Sequence, residues 1–178
     1  MNRILITEKY ILIDKKAVKT AFFIFFIGSI VGVVVSVLLL KYNHAPTNLP
    51  LTIKSENTSL DFITILMNNI FVALFMISGA YLAKIPTILS LFGNGFFLGF
   101  IMATNIYTTS AVIYFLRLVM VHGVVEIMAL LLAANLGLQK EIFSTLKKIK
   151  RSAITIFIVL ILLAIAALLE TMVTPLLW

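Results

Sequence analysis

The chain reads as an all-α, polytopic transmembrane helical bundle of five spans, N-terminus in and C-terminus out. Composition and one pattern predict this. Hydrophobic residues make up 62% of the 178 and charged residues 12%, whereas soluble domains are about a quarter charged. Mean hydropathy is +1.15. The apolar residues fall into five long blocks, each near or above the roughly 20 residues that cross a hydrocarbon core. The length suits a single integral membrane domain, 1–178, with no separate soluble module. The absence of cysteine excludes disulfides, thiolate metal sites and a cysteine nucleophile. The net charge of +7 does not signal nucleic acid, because the basic residues flank apolar spans instead of forming one patch.

The elements follow in order. A leader, 1–20, carries Arg3, Lys9, Lys15, Lys16 and Lys19. The first span, 21–40, is uncharged and ends in Leu38-Leu39-Leu40-Lys41-Tyr42, which lacks a small-residue cleavage site and reads as a retained signal anchor. The external loop, 41–61, has turn residues at Asn43, Pro46, Asn48, Pro50 and Asn57 and no fold of its own. The second span, 62–83, and the third, 85–103, part at Lys84 and Pro86, a proline acceptable in a helix's first turn. The uncharged run from Ile85 to Leu116 would make a helix of about 48 Å, too long for one crossing. The polar tract Thr104 to Ser110 breaks it. The fourth span is 111–138, a cytoplasmic connection covers 139–151, and the fifth span is 152–173. Eleven Lys and Arg lie on the leader's side, against Lys41 and Lys54 on the other, with Arg117 inside the membrane. That asymmetry sets the orientation and a plasma-membrane, multi-pass placement.

In the connection, Ile142, Phe143, Leu146 and Ile149 recur at helical spacing among lysines. Ile4, Leu5, Glu8, Ile11 and Leu12 repeat the pattern more weakly in the leader. Two readings stand: helices lying on an anionic inner leaflet, or a docking surface for a cytoplasmic ATPase. The loop 41–61 is the corresponding place for a periplasm-facing partner.

Helices in lipid approach where side chains are small. Gly28, Gly32 and Ser36 in the first span, Gly95, Gly99 and Ala103 in the third, and Ala129, Ala133 and Gly137 in the fourth form such stripes. They suit packing within the bundle or a homodimer contact. Polar groups sit at matched depths. Counted at 1.5 Å per residue from the outer surface, Arg117 is about 9 Å deep, His122 about 16 Å and Glu126 about 22 Å. This gives an outer layer of Asn68, Asn69, Arg117 and Glu170 and a central layer of Asn94, His122 and Glu126. Arg117 can snorkel outward or reach Glu170, and His122 and Glu126 share a helix face. An ionisable group at such depth costs roughly 2.5–3.5 kcal/mol on insertion scales and so marks a site or a structural core. A metal is not expected, since His122, Glu126 and Glu170 are the only candidate ligands and stand in different layers. No cofactor is implied. The paired-His metalloprotease motif and the Gly-x-Ser-x-Gly elbow are absent, and no enzymatic activity is expected.

The order Asn68-Asn69, Gly79, Asn94-Gly95-x3-Gly99, His122-Gly123-x2-Glu126, Ala129, Glu170 and Thr174-Pro175 resembles the stage II sporulation protein M family of five-span membrane proteins over roughly 62–175. One departure is Val121, where the family usually has proline before His-Gly. The resemblance implies two roles. One is a membrane scaffold in a cell-wall-remodelling complex of sporulation engulfment. The other is a non-catalytic subunit of an export or self-immunity system beside circular bacteriocins, partnered by an ABC-type ATPase. A basic connection and little external mass favour the second. An ion, proton or small-solute path through the polar layer is a third alternative.

Overall fold

The computed structural model describes residues 11–43, 58–105 and 122–173. The described residues are helical, in the order α1 (Lys15–Asn43), α2 (Thr58–Ser78), α3 (Ile85–Asn105), α4 (Val124–Gly137) and α5 (Leu146–Leu168). A π-helical turn, Leu169–Val173, continues α5, and His122 and Gly123 enter α4 through another wide turn. By length and composition α1, α2, α3 and α5 are apolar enough to cross a membrane. The described part of α4 has 14 residues; positions 111–121 of the expected fourth span lie outside the described residues. The chain is thus a multi-pass helical membrane protein.

Several boundaries differ from the sequence expectation. The second span stops at Ser78, and 79–84 form a tight turn in which Ala83 and Lys84 take positive φ values of 50° and 67°. Thr87 donates a 2.6 Å hydrogen bond from Oγ1 to the Met76 carbonyl, closing the end of α2 against the start of α3. The connection after α4 is not an amphipathic surface helix. It is a turn through Glu141, φ 56°, followed by a helix start at which the Thr145 side chain accepts from Lys148 N–H at 3.3 Å. Its apolar residues disperse: Ile142 is buried in the core, Phe143 stacks on Tyr81, and Leu146 is 86% exposed. Lys147, Lys148, Lys150 and Arg151 belong to the first turns of α5. In the leader, Ile11 and Leu12 are likewise not helical.

The start of α1, the turn 79–84 and the turn 139–145 gather at one end of the bundle, so successive helices run in alternating directions. Buried Asn135 on α4 clasps the chain before α1: its Oδ1 accepts from Asp14 N–H at 2.9 Å and its Nδ2 donates to the Leu12 carbonyl at 2.7 Å. Leu12 N–H donates in turn to Thr155 Oγ1 on α5 at 3.2 Å. The Leu12 side chain packs on the core. This end also carries most of the basic residues.

The packing is inverted relative to a soluble protein. The buried set is rich in alanine (Ala21, Ala129, Ala133, Ala134, Ala167), whereas Phe22, Phe23, Phe71, Phe97 and Phe157 face outward. Where lipid is as apolar as the core, nothing is gained by burying phenylalanine, and close backbone approach becomes the main attraction. It is greatest between α1 and α3. A Cβ on Gly28 would meet the Phe92 carbonyl; on Gly32, the Phe96 carbonyl; on Gly95, that of Phe25; on Gly99, that of Ser29. Contacts advance together along both helices, so α1 and α3 run parallel. The two stripes meet within one chain, which leaves a homodimer without them. Ser36, next in the α1 stripe, is fully buried.

The seam predicts a graded response. Gly95→Ala or Gly99→Ala should lower thermal stability in detergent by about 1–3 kcal/mol, because the obstacle is backbone and cannot step aside. Gly93→Ala, with nothing within 4 Å, should leave it unchanged or raise it slightly.

Candidate functional site

The seam decides where the polar residues go. With Gly95 pressed on Phe25, the preceding residue, Asn94, turns toward the side where α4 lies. There a cavity of about 130 Å³ opens between α1, α3 and α4, lined among others by Phe25, Asn94, Leu98, His122 and Glu126. The structure therefore brings Asn94, His122 and Glu126 to one cavity. Glu126 is on the first turn of α4, with His122 one turn before it. Asn94 does not hold the carboxylate: its Nδ2 donates to the Ser90 carbonyl of its own helix at 2.8 Å. Such self-satisfaction is the usual refuge of a polar side chain in a lipid-facing helix. Among the described residues, no hydrogen bond reaches the Glu126 carboxylate.

The outer layer divides. Asn69 is buried inside the bundle, while Asn68 is exposed on its outside and does not join an interior layer. Arg117, with its expected pairing to Glu170, lies outside the described residues. Glu170, half-buried in the π-helical turn, stands within electrostatic reach of Glu126. The register of α4 and α5 explains this. Asn135 and Thr155 share Leu12 and lie at one level. Glu126 is nine residues along α4 from that level and Glu170 fifteen along α5, an axial offset of about 9 Å. Glu170 thus stands farther than Glu126 from the basic end of the bundle. Among the described residues no three of His, Asp and Glu group closely enough to hold a metal ion, so His122, Glu126 and Glu170 form no ligand set. The arrangement gathers an amide, an imidazole and a carboxylate around one small cavity, with a second carboxylate within electrostatic reach.

The remaining stripes have local tasks. Ala129 and Ala133 are fully buried, and a Cβ on Gly137 would meet the Met76 carbonyl and Thr87 Oγ1. Sequence reasoning missed Asn135. Its signal was available, an amide among seven buried residues of an apolar helix, but its partners are backbone atoms more than 120 residues away.

Residues 21–175 match the sequence profile described as Stage II sporulation protein M. The chain belongs to the stage II sporulation protein M family. The match extends the resemblance of 62–175 back into α1, the helix that supplies half of the glycine seam. A relative from Methanocaldococcus jannaschii, described as an uncharacterized protein, is 30% identical over 131 residues, 67% of this chain and 74% of its own length. No solved structure matches.

Burial of the Glu126 carboxylate, and to a lesser degree the nearness of Glu170, opposes folding whenever Glu126 is charged. Glu126→Gln should therefore stabilise this family member in detergent at neutral pH by on the order of 1 kcal/mol. Glu170→Gln should act in the same direction. A double-mutant cycle by thermal unfolding should show less than additive gain, since either change removes the same repulsion. Strict additivity would mean that the two groups do not sense each other.

Proposed function

We propose that this protein is the non-catalytic membrane subunit of an export or self-immunity system of the kind that accompanies circular bacteriocins, placed in the plasma membrane and working beside an ABC-type ATPase. The observation that carries the reading is the single basic end of the bundle. Lys84 on one turn, Lys140 on the other, and Lys147, Lys148 and Lys150 on α5 join the lysines at the start of α1. The Asn135 clasp, the Leu12–Thr155 bond and the Tyr81–Phe143 stack join these pieces at one end. The positive-inside bias puts that end in the cytoplasm, with five spans and an external C-terminus. A rigid, basic cytoplasmic face suits docking of a soluble partner with an acidic surface, where charge chiefly sets the encounter rate and orientation.

A second reading rests on a different observation. The cavity with Asn94, His122 and Glu126, and Glu170 nearby, is what an intramembrane proton or small-solute path needs. The scaffold role in wall remodelling would act through 41–61, most of which lies outside the described residues.

Affinity purification of the membrane protein from its native host should recover an ATPase subunit. Lys147→Glu with Lys148→Glu should lower that recovery several-fold at low salt, less so at high salt. Recovery without any ATPase, together with unchanged export and unchanged self-protection on deletion, would reject the first reading. For the second, Glu126→Gln in proteoliposomes should alter proton flux while the unfolding transition remains cooperative; identical flux in both proteins would exclude it.

A further inference from the structure

The basic end contains a second hollow, larger than the intramembrane one. It has a volume of about 560 Å³ and opens between the two interhelical turns, with Gly79, Tyr81, Ala83 and Lys84 on one wall and Lys140 and Glu141 on the other. Pockets for small ligands span roughly 300–1,000 Å³. All three non-glycine residues with positive φ among the described residues, Ala83, Lys84 and Glu141, line this hollow. Left-handed backbone costs roughly 1–2 kcal/mol per non-glycine residue and persists only where the surroundings impose it. Those surroundings are firm. The Tyr81 ring stacks on Phe143 across the two turns at 6.1 Å. Ile142 is fully buried behind them. Gly79 is so close to Thr87 that a Cβ would strike its Oγ1. The hollow is therefore built, not a gap between mobile loops.

Its donors point to one ligand chemistry. Lys84 and Lys140 bring ammonium groups from two different turns, and neither forms an ion pair among the described residues. The backbone N–H groups of Ala83, Lys140 and Glu141 have no backbone acceptor among the described residues. Glu141 is the one carboxylate on the rim. At the opening Tyr81 is exposed, as is Leu82 beside it in the same turn, side chains of the kind that settles at the level of lipid headgroups.

We propose that this hollow binds a phosphate group, presented by an anionic phospholipid headgroup, with Lys84 and Lys140 as its counter-charges and the turn's backbone N–H groups as additional donors. The same donors would accept phosphate from a soluble compound, and the exposed apolar rim is what favours the lipid. The inference is independent of any ATPase, because it concerns the isolated chain.

The test uses the purified protein in a neutral detergent, with short-chain phosphatidylglycerol as one probe and inorganic phosphate as the other. Binding is read by calorimetry and stoichiometry by native mass spectrometry. The lipid should bind one per chain and raise the unfolding temperature. Lys84→Gln and Lys140→Gln should each weaken it on the order of tenfold. Glu141→Gln should tighten it, and Lys147→Gln, outside the hollow, should change it less than twofold. Lys84→Arg should restore binding, separating loss of charge from loss of fold. Inorganic phosphate binding with the same lysine dependence would support the site and move its source into solution. Unchanged affinity in both Lys→Gln variants, each unfolding at the wild-type temperature, would overturn the proposal.

Discussion

A bundle in lipid gains little from burying large apolar side chains, and here the shortfall is made up by contact between two backbones. Gly28 and Gly32 on α1 face the α3 carbonyls, and Gly95 and Gly99 on α3 face those of α1. Because the obstacle on each side is main chain, the separation and the register are both set at this crossing. The neighbours inherit that register. Asn94 is carried to the cavity because Gly95 must face Phe25, and α4 completes the cavity wall with His122 and Glu126. The seam is thus a structural cause of the polar site and not a separate feature.

Much of this was legible in the residues. The stripes at four-residue spacing named the glycines, and the pattern of apolar blocks named α1, α2, α3 and α5. The company kept by Asn94, His122 and Glu126 followed from depth arithmetic alone. What the residues do not carry is register between helices. Glu170 was assigned by counting from assumed span ends, yet α5 begins at Leu146 and meets α4 through Leu12, a link no local pattern encodes. Helical spacing also misled in 139–151. Ile142, Phe143 and Leu146 keep a helical period, but the chain turns at Glu141 and sends them to a core, a ring stack and the surface. Asn68 and Asn69 show the same limit, since adjacent residues on a helix face different ways and one lies outside.

The polar side chains solve the hydration problem mostly within their own helices. Ser29 donates to the Phe25 carbonyl, Asn94 to Ser90 and Thr171 to Ala167, all one turn back. These groups are therefore neutral toward assembly. Against that background Glu126 stands out, lining the cavity with Glu170 within electrostatic reach, since carboxylates gain nothing from a preceding carbonyl. Their placement in one region is a cost that local bonding cannot offset, which is why it draws functional interest.

The Asn135 clasp has a consequence for biogenesis. Its partners precede α1, so this early stretch is fastened by an amide synthesised more than 120 residues later and by a hydroxyl 143 residues away. At about 5–20 residues per second, the segment before α1 must wait several seconds or more for its latch. Asp14 meanwhile has its local bonds to Lys16, Ala17 and Val18 N–H, but its own N–H and both main-chain groups of Leu12 are latched only when α4 and α5 arrive.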